Sequence, residues 1–189
     1  MPRLFTGIEI PENIREEITR LQSGIDGARW IEPGDFHITL RFVGNIDNRQ
    51  AEEFSSFISQ IQFKPIEISL TGTGSFGGRK PRAVWIGIKP CKALVNLHHT
   101  HEMAAQYAGL KPESRKFIPH VTLARLRNIS PAVTARYLES INFVSLPPFK
   151  ITRTALFSAR PGGGGGPYHV ETTHPATEIT PRDQRQEIS

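Results

Sequence analysis

One short pattern occurs twice in the chain, and its repetition constrains the fold more than any other feature. The stretch FHITLRFVGN begins at Phe36 and the stretch PHVTLARLRN begins at Pro119. In each, a His is followed two residues later by a Thr, and an Asn stands eight residues after the His. His120 lies 83 residues after His37. This matched spacing predicts an internal duplication, and hence two related lobes that face each other about an approximate twofold axis.

The 83-residue offset extends beyond the two motifs. It relates the predicted helix caps Asp47 and Ser130, and it also relates the apolar positions Ile58 and Ile141. Strand-like alternation and helix-like periodicity follow each other in each half as a βαβαβ pattern. The predicted helices cover about 11–25, the segment from the Asp47 cap through Ile61, about 90–108, and the segment that follows Ser130. The expected fold class is α+β, with mainly antiparallel sheets, outer helices and a central cleft between lobes at about 3–76 and 82–158.

Length and composition allow one bilobal domain. The chain has 189 residues, of which 38% are hydrophobic, so it can bury a core without disulfide support. We expect this domain to span 1–174. The stretch RPGGGGGPYHV is expected to form a flexible loop, with no role assigned to glycines 162–166, and the polar segment 175–189 is expected to be disordered.

Cysteine content and charge indicate the cellular compartment and the kind of partner to expect. Cys91 is the only cysteine, which excludes an intrachain disulfide and a zinc site built on cysteines. A reducing cytoplasm is therefore the expected location. No apolar run approaches the roughly 20 residues of a membrane span, and no membrane partner is expected. The net charge of +5 and the pI of about 9.7 favour an anionic partner.

The repeated motif brings chemistry as well as symmetry. Side chains alternate along a strand, so His37 and Thr39 share one face, as do His120 and Thr122, while the intervening aliphatic residues face the other way. Two imidazoles flanking a space suit a phosphodiester, because one can take a proton while the other gives one at neutral pH. The Thr hydroxyls can donate to phosphate oxygens, and the chemistry requires no metal.

A third His-x-Thr triplet, His98 to Thr100, lies in the stretch LHHTHEM. It follows a helical pattern and has no partner at the 83-residue offset. We therefore predict that this triplet lies on a helix surface and takes no part in the site.

The sequences RWIEPGDFHITLRFVG and FIPHVTLAR resemble the two-histidine phosphoesterase superfamily. The resemblance spans about 3–158 and is greatest to the bacterial and archaeal RNA 2′,3′-cyclic phosphodiesterases, also called 2′-5′ RNA ligases. It implies hydrolysis of a terminal 2′,3′-cyclic phosphate to a 2′-phosphomonoester, with no cofactor and no metal. It also implies His37 as the general acid, His120 as the general base, Thr39 and Thr122 as phosphate donors, and Arg125 as the family's arginine five residues after the second His.

Strict alternation places Arg125 on the face opposite His120, so a bulge or strong twist near Ala124 is needed to redirect it. Arg41 has the right parity on its own strand and could serve instead. Phe42 stands where the second motif has Arg125, so the phosphate clamp is expected to be asymmetric. Four aromatic residues could stack on bases, although core packing is favoured for each: Trp30, Phe76, Trp85 and Tyr168.

Three alternatives stay open. The same chemistry in reverse would join RNA ends as an ATP-independent 2′-5′ ligation. The cleft could also bind RNA phosphates without turnover, or the chain could be a metallohydrolase. The expected partner is RNA that ends in a 2′,3′-cyclic phosphate. A monomer is favoured because the duplicated lobes bury each other's faces.

Overall fold

A computed structural model describes residues 3–159 and 166–177. Within these ranges the chain forms four α-helices, one short 3-10 helix at Pro33–Asp35 and ten strands. The helices are α1 (Glu12–Thr19), α2 (Asn48–Ser59), α3 (Lys92–Tyr107) and α4 (Pro131–Ser140). The strands are β1 (Arg3–Glu9), β2 (Arg29–Trp30), β3 (His37–Asn45), β4 (Ile66–Ile68), β5 (Leu70–Phe76), β6 (Ala83–Ile88), β7 (His120–Arg125), β8 (Phe149–Ile151), β9 (Arg153–Ala159) and β10 (Tyr168–Pro175).

The strands form two sheets. The larger has the order β10-β9-β1-β3-β7-β6-β5, with β2 paired to β7, and the smaller contains β4 and β8. The paired strands are antiparallel throughout. The strands that carry the repeated motif, β3 and β7, meet through one residue pair, Ile38 opposite Val121. Because these two residues obey the 83-residue offset, the approximate twofold axis passes between them, and the predicted α+β fold with two related halves is confirmed.

The two halves exchange their last strands, which the sequence did not reveal. Strand β5 comes from the first half and pairs with β6 of the second, whereas β9 comes from the second half and pairs with β1. The small β4–β8 sheet also joins the two halves. The boundaries at 3–76 and 82–158 therefore do not follow the strand pairing, because on each side of the β3–β7 contact the large sheet includes a strand from the other half of the chain.

The helices cover the sheet in two pairs, and each pair combines a helix of the first half with a helix of the second. Helices α2 and α3 contact each other, and Phe54, Ile58 and Ala105 from these helices pack with Leu156 of β9. Helices α1 and α4 lie over the other half, where the hydroxyl of Tyr137 donates to the Leu21 carbonyl at 2.7 Å. Each pair contains one helix from each half, so the core also crosses the boundary between the halves.

The predicted caps of the second and fourth helices are confirmed. The Asp47 side chain accepts a hydrogen bond from the Gln50 amide, and the Ser130 hydroxyl accepts one from the Val133 amide. These bonds satisfy amides that have no partner within the first turn of a helix. The third helix begins at Lys92, two residues after the predicted start.

The predicted helix over 11–25 ends early, at Thr19. The Gln22 side chain donates to the carbonyls of Ile31 and Leu123, at 2.7 and 3.0 Å. Gly24 then has φ of +88°, a conformation outside the right-handed helix. Ile25 is still buried, at 4% exposure, so its apolar period reflects packing of a loop on the core.

The C-terminal strand β10 was not predicted. It pairs with β9, and beyond it the amides of Ala176 and Thr177 donate to the carbonyls of Thr152 and Phe63. The predictions of a flexible loop through Val170 and of disorder from residue 175 are therefore wrong for 168–170 and 175–177. Most side chains of β10 are exposed, so backbone pairing holds this edge strand without the alternating pattern that sequence analysis detects. Glycines 162–165 and residues 178–189 lie outside the described residues.

Candidate active site

The two histidines of the repeated motif begin equivalent strands and have equivalent backbone partners. The Nδ1 atom of His37 lies 2.7 Å from the carbonyl oxygen of Asp35, and Nδ1 of His120 lies 2.7 Å from that of Ile118. A carbonyl can only accept, so each Nδ1 carries a hydrogen and donates it. Each ring is thus held in the tautomer that leaves Nε2 free to take or give a proton.

A bulge occurs at the same place in both motif strands. On β3 the ladder passes from Thr39 to Arg41, and on β7 it passes from Thr122 to Ala124, so Leu40 and Leu123 are the extra residues. Leu40 and Leu123 obey the 83-residue offset. A bulge shifts the alternation of side chains by one residue. Accordingly, two successive residues are buried on each strand: Leu40 and Arg41 on β3, and Leu123 and Ala124 on β7.

The bulge on β7 turns Arg125 toward the cleft, which confirms the distortion predicted near Ala124. The side chain of Arg125 is exposed and lines a depression between the halves. Six residues line this depression: Ile31, Asp35, His37, Thr122, Arg125 and Tyr168. The depression thus brings together predicted site residues from both copies of the motif.

The bulge on β3 turns Arg41 away from the cleft, so the prediction that Arg41 could serve as the clamp is wrong. Its side chain is 7% exposed and forms an ion pair with Glu102 on α3. It also donates to the carbonyl of Lys111 at 2.6 Å and to that of Phe42. Arg41 therefore ties β3 and α3 to the segment that leads to His120.

Phe42 occupies the position equivalent to Arg125, as the offset predicts, and it packs against the buried cluster of Phe5, Ala155 and Phe157. The Arg3 guanidinium lies over the Phe42 ring, 5.2 Å from its centre. The two walls of the cleft therefore differ, since one has an aromatic ring where the other has a cation.

Electrostatics favour neutral imidazoles in the unliganded cleft. The pKa of His37 is lowered to about 4, chiefly by burial and also by the charges of His120 and Arg125, against opposing contributions from the Asp35 carbonyl and carboxylate. Burial also lowers the pKa of His120, and Arg125 adds to the effect. An entering phosphate anion has the opposite sign to Arg125 and would raise both pKa values.

Aromatic rings flank each histidine. The ring centre of His37 lies 4.8 Å from that of Phe5, 5.0 Å from Tyr168 and 5.8 Å from Phe157. The ring centre of His120 lies 4.8 Å from Phe76 and 5.8 Å from Trp85. Of the four predicted stacking candidates, Trp30 is the exception, because it packs with Tyr137 on the helical side at 5.7 Å.

Sequence analysis missed Asp35, whose carboxylate organises the chain that returns to the cleft. Its Oδ1 accepts a hydrogen bond of 3.0 Å from the Tyr168 amide. Gly166 has φ of +87°, which favours glycine, and a Cβ there would lie 1.8 Å from Asp35 Oδ2 and displace this carboxylate. The signal available in the sequence was the position of Asp35, two residues before His37, where its carbonyl matches that of Ile118.

The triplet at His98 to Thr100 stays outside the site, but the prediction that it lies wholly on a helix surface is wrong. His98 Nδ1 lies 2.7 Å from the Leu40 carbonyl, and its ring stacks on Phe117 with centres 3.8 Å apart. His101, one turn along, is 0% exposed. The polar residues of LHHTHEM obscured the face of α3 that packs under the sheet.

Two kinds of feature are absent from the described residues. Across 3–159 and 166–177, no three or more His, Cys, Asp or Glu side chains come together in a way that could hold a metal ion. Of the helices in the same ranges, none has both the length and the apolar character required to cross a membrane.

The fold and the cleft define a two-lobed α+β protein with paired histidines and an arginine between its halves. The chain belongs to the LigT-like phosphoesterase family, whose pattern matches it twice, over residues 8–85 and 86–168. The double match agrees with the internal duplication, and the family membership predicted from the motifs is confirmed.

The chain is similar to several proteins named RNA 2′,3′-cyclic phosphodiesterase. The Archaeoglobus fulgidus protein is 30% identical over 135 residues, which is 69% of this chain and 76% of that protein. The Methanocaldococcus jannaschii protein is 35% identical over 130 residues, 67% of this chain and 73% of that protein. The Bacillus subtilis protein is 33% identical over 130 residues, 66% of this chain and 71% of that protein.

Solved structures share the fold. E. coli LigT in complex with 3′-AMP superimposes with a TM-score of 0.75 at 24% identity, covering 94% of this chain and all 100% of that one. The Thermus thermophilus protein TT0787 gives a TM-score of 0.74 at 19% identity, covering 92% of this chain and 97% of the other. At these identities the likeness concerns the fold alone.

Proposed function

We propose that this protein hydrolyses the terminal 2′,3′-cyclic phosphodiester of RNA to a 2′-phosphomonoester, by general acid and base catalysis without a metal. The observation that carries the proposal is the pair of equivalent imidazoles, His37 and His120, each with Nδ1 bonded to a carbonyl and Nε2 left free. The names of the relatives from three organisms support the substrate class.

The reaction needs one proton to be removed and one to be supplied. Nε2 of His120 takes a proton from a water molecule, and the water oxygen forms a bond to phosphorus. Thr39 and Thr122 donate hydrogen bonds to the nonbridging oxygens, and Arg125 offsets the charge of the pentacoordinate transition state. The bond between phosphorus and O3′ then breaks, and the proton on Nε2 of His37 goes to O3′. The phosphate stays on O2′, and exchange with solvent restores the protonation of both histidines.

Burial supports this division of roles. His37 is the more deeply buried imidazole and lies among Phe5, Phe157 and Tyr168. His120 is less enclosed, so water reaches its side of the cleft more readily. A base that activates water belongs on the open side, whereas an acid that protonates a leaving ribose belongs on the closed side.

The direct test uses an oligonucleotide that ends in a 2′,3′-cyclic phosphate, incubated with the protein in the presence of EDTA. Phosphorus NMR of the product is expected to place the phosphate on the 2′-hydroxyl, at a rate that EDTA does not change. Loss of activity in EDTA that zinc or magnesium restores would instead support a metallohydrolase. Binding with no turnover would support an RNA-binding module.

Ligation would open the same cyclic phosphate with an RNA 5′-hydroxyl in place of water as the nucleophile, so it is tested in the same assay. Addition of an RNA with a free 5′-hydroxyl is expected to give little joined product, because water is in great excess. Joined product that predominates over hydrolysis would favour the 2′-5′ ligase.

A further inference from the structure

The positive charge of the chain is concentrated in two segments. Residues 68–101 and 114–138 together contain ten Lys or Arg residues and no Asp or Glu. By contrast, residues 1–67 contain seven Lys or Arg and eleven Asp or Glu. The two basic segments include strands β5, β6 and β7. The modest net charge of +5 therefore conceals one strongly basic half of the sheet.

Two of these cations, Arg82 and Arg125, lie at the same strand end as Arg29, which comes from outside the two segments. Arg29 on β2 lies directly opposite Arg125 on β7, and Ala83 on β6 lies opposite Arg125 on the other side. The Leu126 amide donates to the Arg82 carbonyl at 2.8 Å, so Arg82 adjoins the same strand end. Neighbouring strands are about 5 Å apart, and directly opposite side chains share a face. Arg125, the cation of the cleft, is thus one member of a row of cations at this strand end.

The loop between β5 and β6 extends this row and has a defined shape. The Lys80 amide donates to the Gly77 carbonyl at 3.0 Å, and the Arg82 amide donates to the Phe76 carbonyl at 2.7 Å. Gly77 has φ of +108°, and a Cβ there would lie 2.2 Å from the Lys80 carbonyl oxygen. We call the following exposed residues the basic strip: Arg29, Arg79, Lys80, Arg82 and Arg127.

No carboxylate neutralises the basic strip within the part of the chain that the structure describes. The ion pairs there use other arginines: Arg20, Arg41, Arg49, Arg115 and Arg153. Like charges directly opposite each other, such as Arg29 and Arg125, destabilise a sheet. An anion that binds between them would remove that repulsion.

We propose that the basic strip binds the internucleotide phosphates on the 5′ side of the terminal cyclic phosphate of single-stranded RNA. The proposal rests on the proposed function, since Arg125 joins the strip to the reacting phosphate. A single strand fits because its phosphates form a row of anions, and because Phe76 beside the strip offers a ring for stacking. The enzyme then prefers a chain end to a free nucleotide.

The test compares three substrates that share the same terminal nucleotide. These are the nucleoside 2′,3′-cyclic phosphate, the dinucleotide with a natural internucleotide phosphate, and the dinucleotide with an uncharged methylphosphonate in that position. The wild-type protein is expected to have a kcat/KM about tenfold higher for the natural dinucleotide than for the methylphosphonate, the usual effect of a charged hydrogen bond. This comparison keeps the second base, so it isolates the phosphate from stacking.

Two variants locate the effect. In the double variant Arg29→Gln/Arg82→Gln, the tenfold preference for the natural phosphate is expected to fall to about twofold or less. The matched control is Arg136→Gln, which removes the same kind of exposed charge from α4 and is expected to retain the preference. Equal kcat/KM for the two dinucleotides in the wild type, or an unchanged preference in the double variant, would overturn the proposal.

A binding measurement separates this proposal from the proposed function. If none of the three substrates is hydrolysed, the proposed function fails, and the strip is tested with fluorescent oligonucleotides that end in a 2′-phosphate. The slope of log affinity against log salt is expected to be smaller in the double variant, by about 0.7 for each lost phosphate contact. An unchanged slope would contradict the basic strip independently of catalysis.

Discussion

The pH dependence of kcat/KM follows from the charges around the two imidazoles. This parameter reports the free enzyme, and the proposed mechanism requires one proton on the histidine pair. Burial lowers the pKa of His37 to about 4 and lowers that of His120 below its usual 6.5. The profile has an acid limb and an alkaline limb, and their two apparent pKa values describe the histidine pair as a whole. Both apparent pKa values are therefore expected below 6.5, whichever histidine is the acid.

The magnitude can be worked from these values. Above both pKa values the monoprotonated form decreases about tenfold for each pH unit. At pH 8 we therefore expect kcat/KM to be at least about 30-fold below its maximum. The assay is the initial rate at substrate concentrations far below KM, from pH 3.5 to 9 at constant ionic strength. A value that is level or rises between pH 6.5 and pH 8 would refute the reasoning.

Two substitutions check the sign of each charge. Arg125→Gln removes a cation that lowers the pKa of both histidines, so both limbs should move to higher pH. Asp35→Asn removes a carboxylate that raises the pKa of His37, the lower of the two pKa values, so the acid limb should move to lower pH more than the alkaline limb does. Arg136→Gln is the matched control, since its charge is exposed on α4 and screened by salt. Movement of the limbs in the opposite directions would contradict the electrostatic explanation.

Three further outcomes are expected. Arg125→Lys should lose most activity while keeping the charge, because Lys lacks the planar fork that holds a phosphate, and wild-type steady-state rates would exclude a clamp at this position. Glu102→Gln should lower the free energy of unfolding by about 3–5 kcal/mol, because it leaves Arg41 buried without a countercharge; urea denaturation measures the loss, and a change below about 1 kcal/mol would count against the buried pair. Burial lowers the pKa of His101 to about 3, so below pH 6.5 the unfolded chain binds a proton that the folded protein does not, and stability is lost as the pH falls toward 3. The free energy of unfolding of His101→Leu minus that of the wild type should therefore be about 2 kcal/mol more positive at pH 5 than at pH 7.5. An equal difference at the two pH values would argue against a buried neutral imidazole.

Sequence analysis predicted the elements of the fold better than their partners. The caps at Asp47 and Ser130 are local, since each side chain bonds an amide three residues away, and both were found. The exchange of β5 and β9 is not local, because alternation identifies a strand but not the strand beside it. Strand β10 is an exposed edge whose pairing is made by the backbone, so its side chains carried no signal.

The candidate site depends on the same local distortion in both motif strands. Regular alternation favoured Arg41 for the cleft and excluded Arg125, and the bulges at Leu40 and Leu123 reverse both assignments. The 83-residue offset pairs Arg41 with Ala124 and Phe42 with Arg125, so the duplication itself already held the correct alignment. The buried partner of Arg41, Glu102, could not be inferred, because nothing near it in sequence indicates a contact with β3.

The effect of the leaving group on the two His→Ala variants tests the division of labour most directly. On a 2′,3′-cyclic phosphate, His37→Ala and His120→Ala should each lose roughly 10² to 10⁴ in rate, the usual contribution of a positioned acid or base. A nitrophenyl phosphodiester has a leaving group that needs little protonation, so it should restore the rate of His37→Ala far more than that of His120→Ala. Equal restoration of both variants, or restoration of His120→Ala alone, would contradict His37 as the acid and His120 as the base.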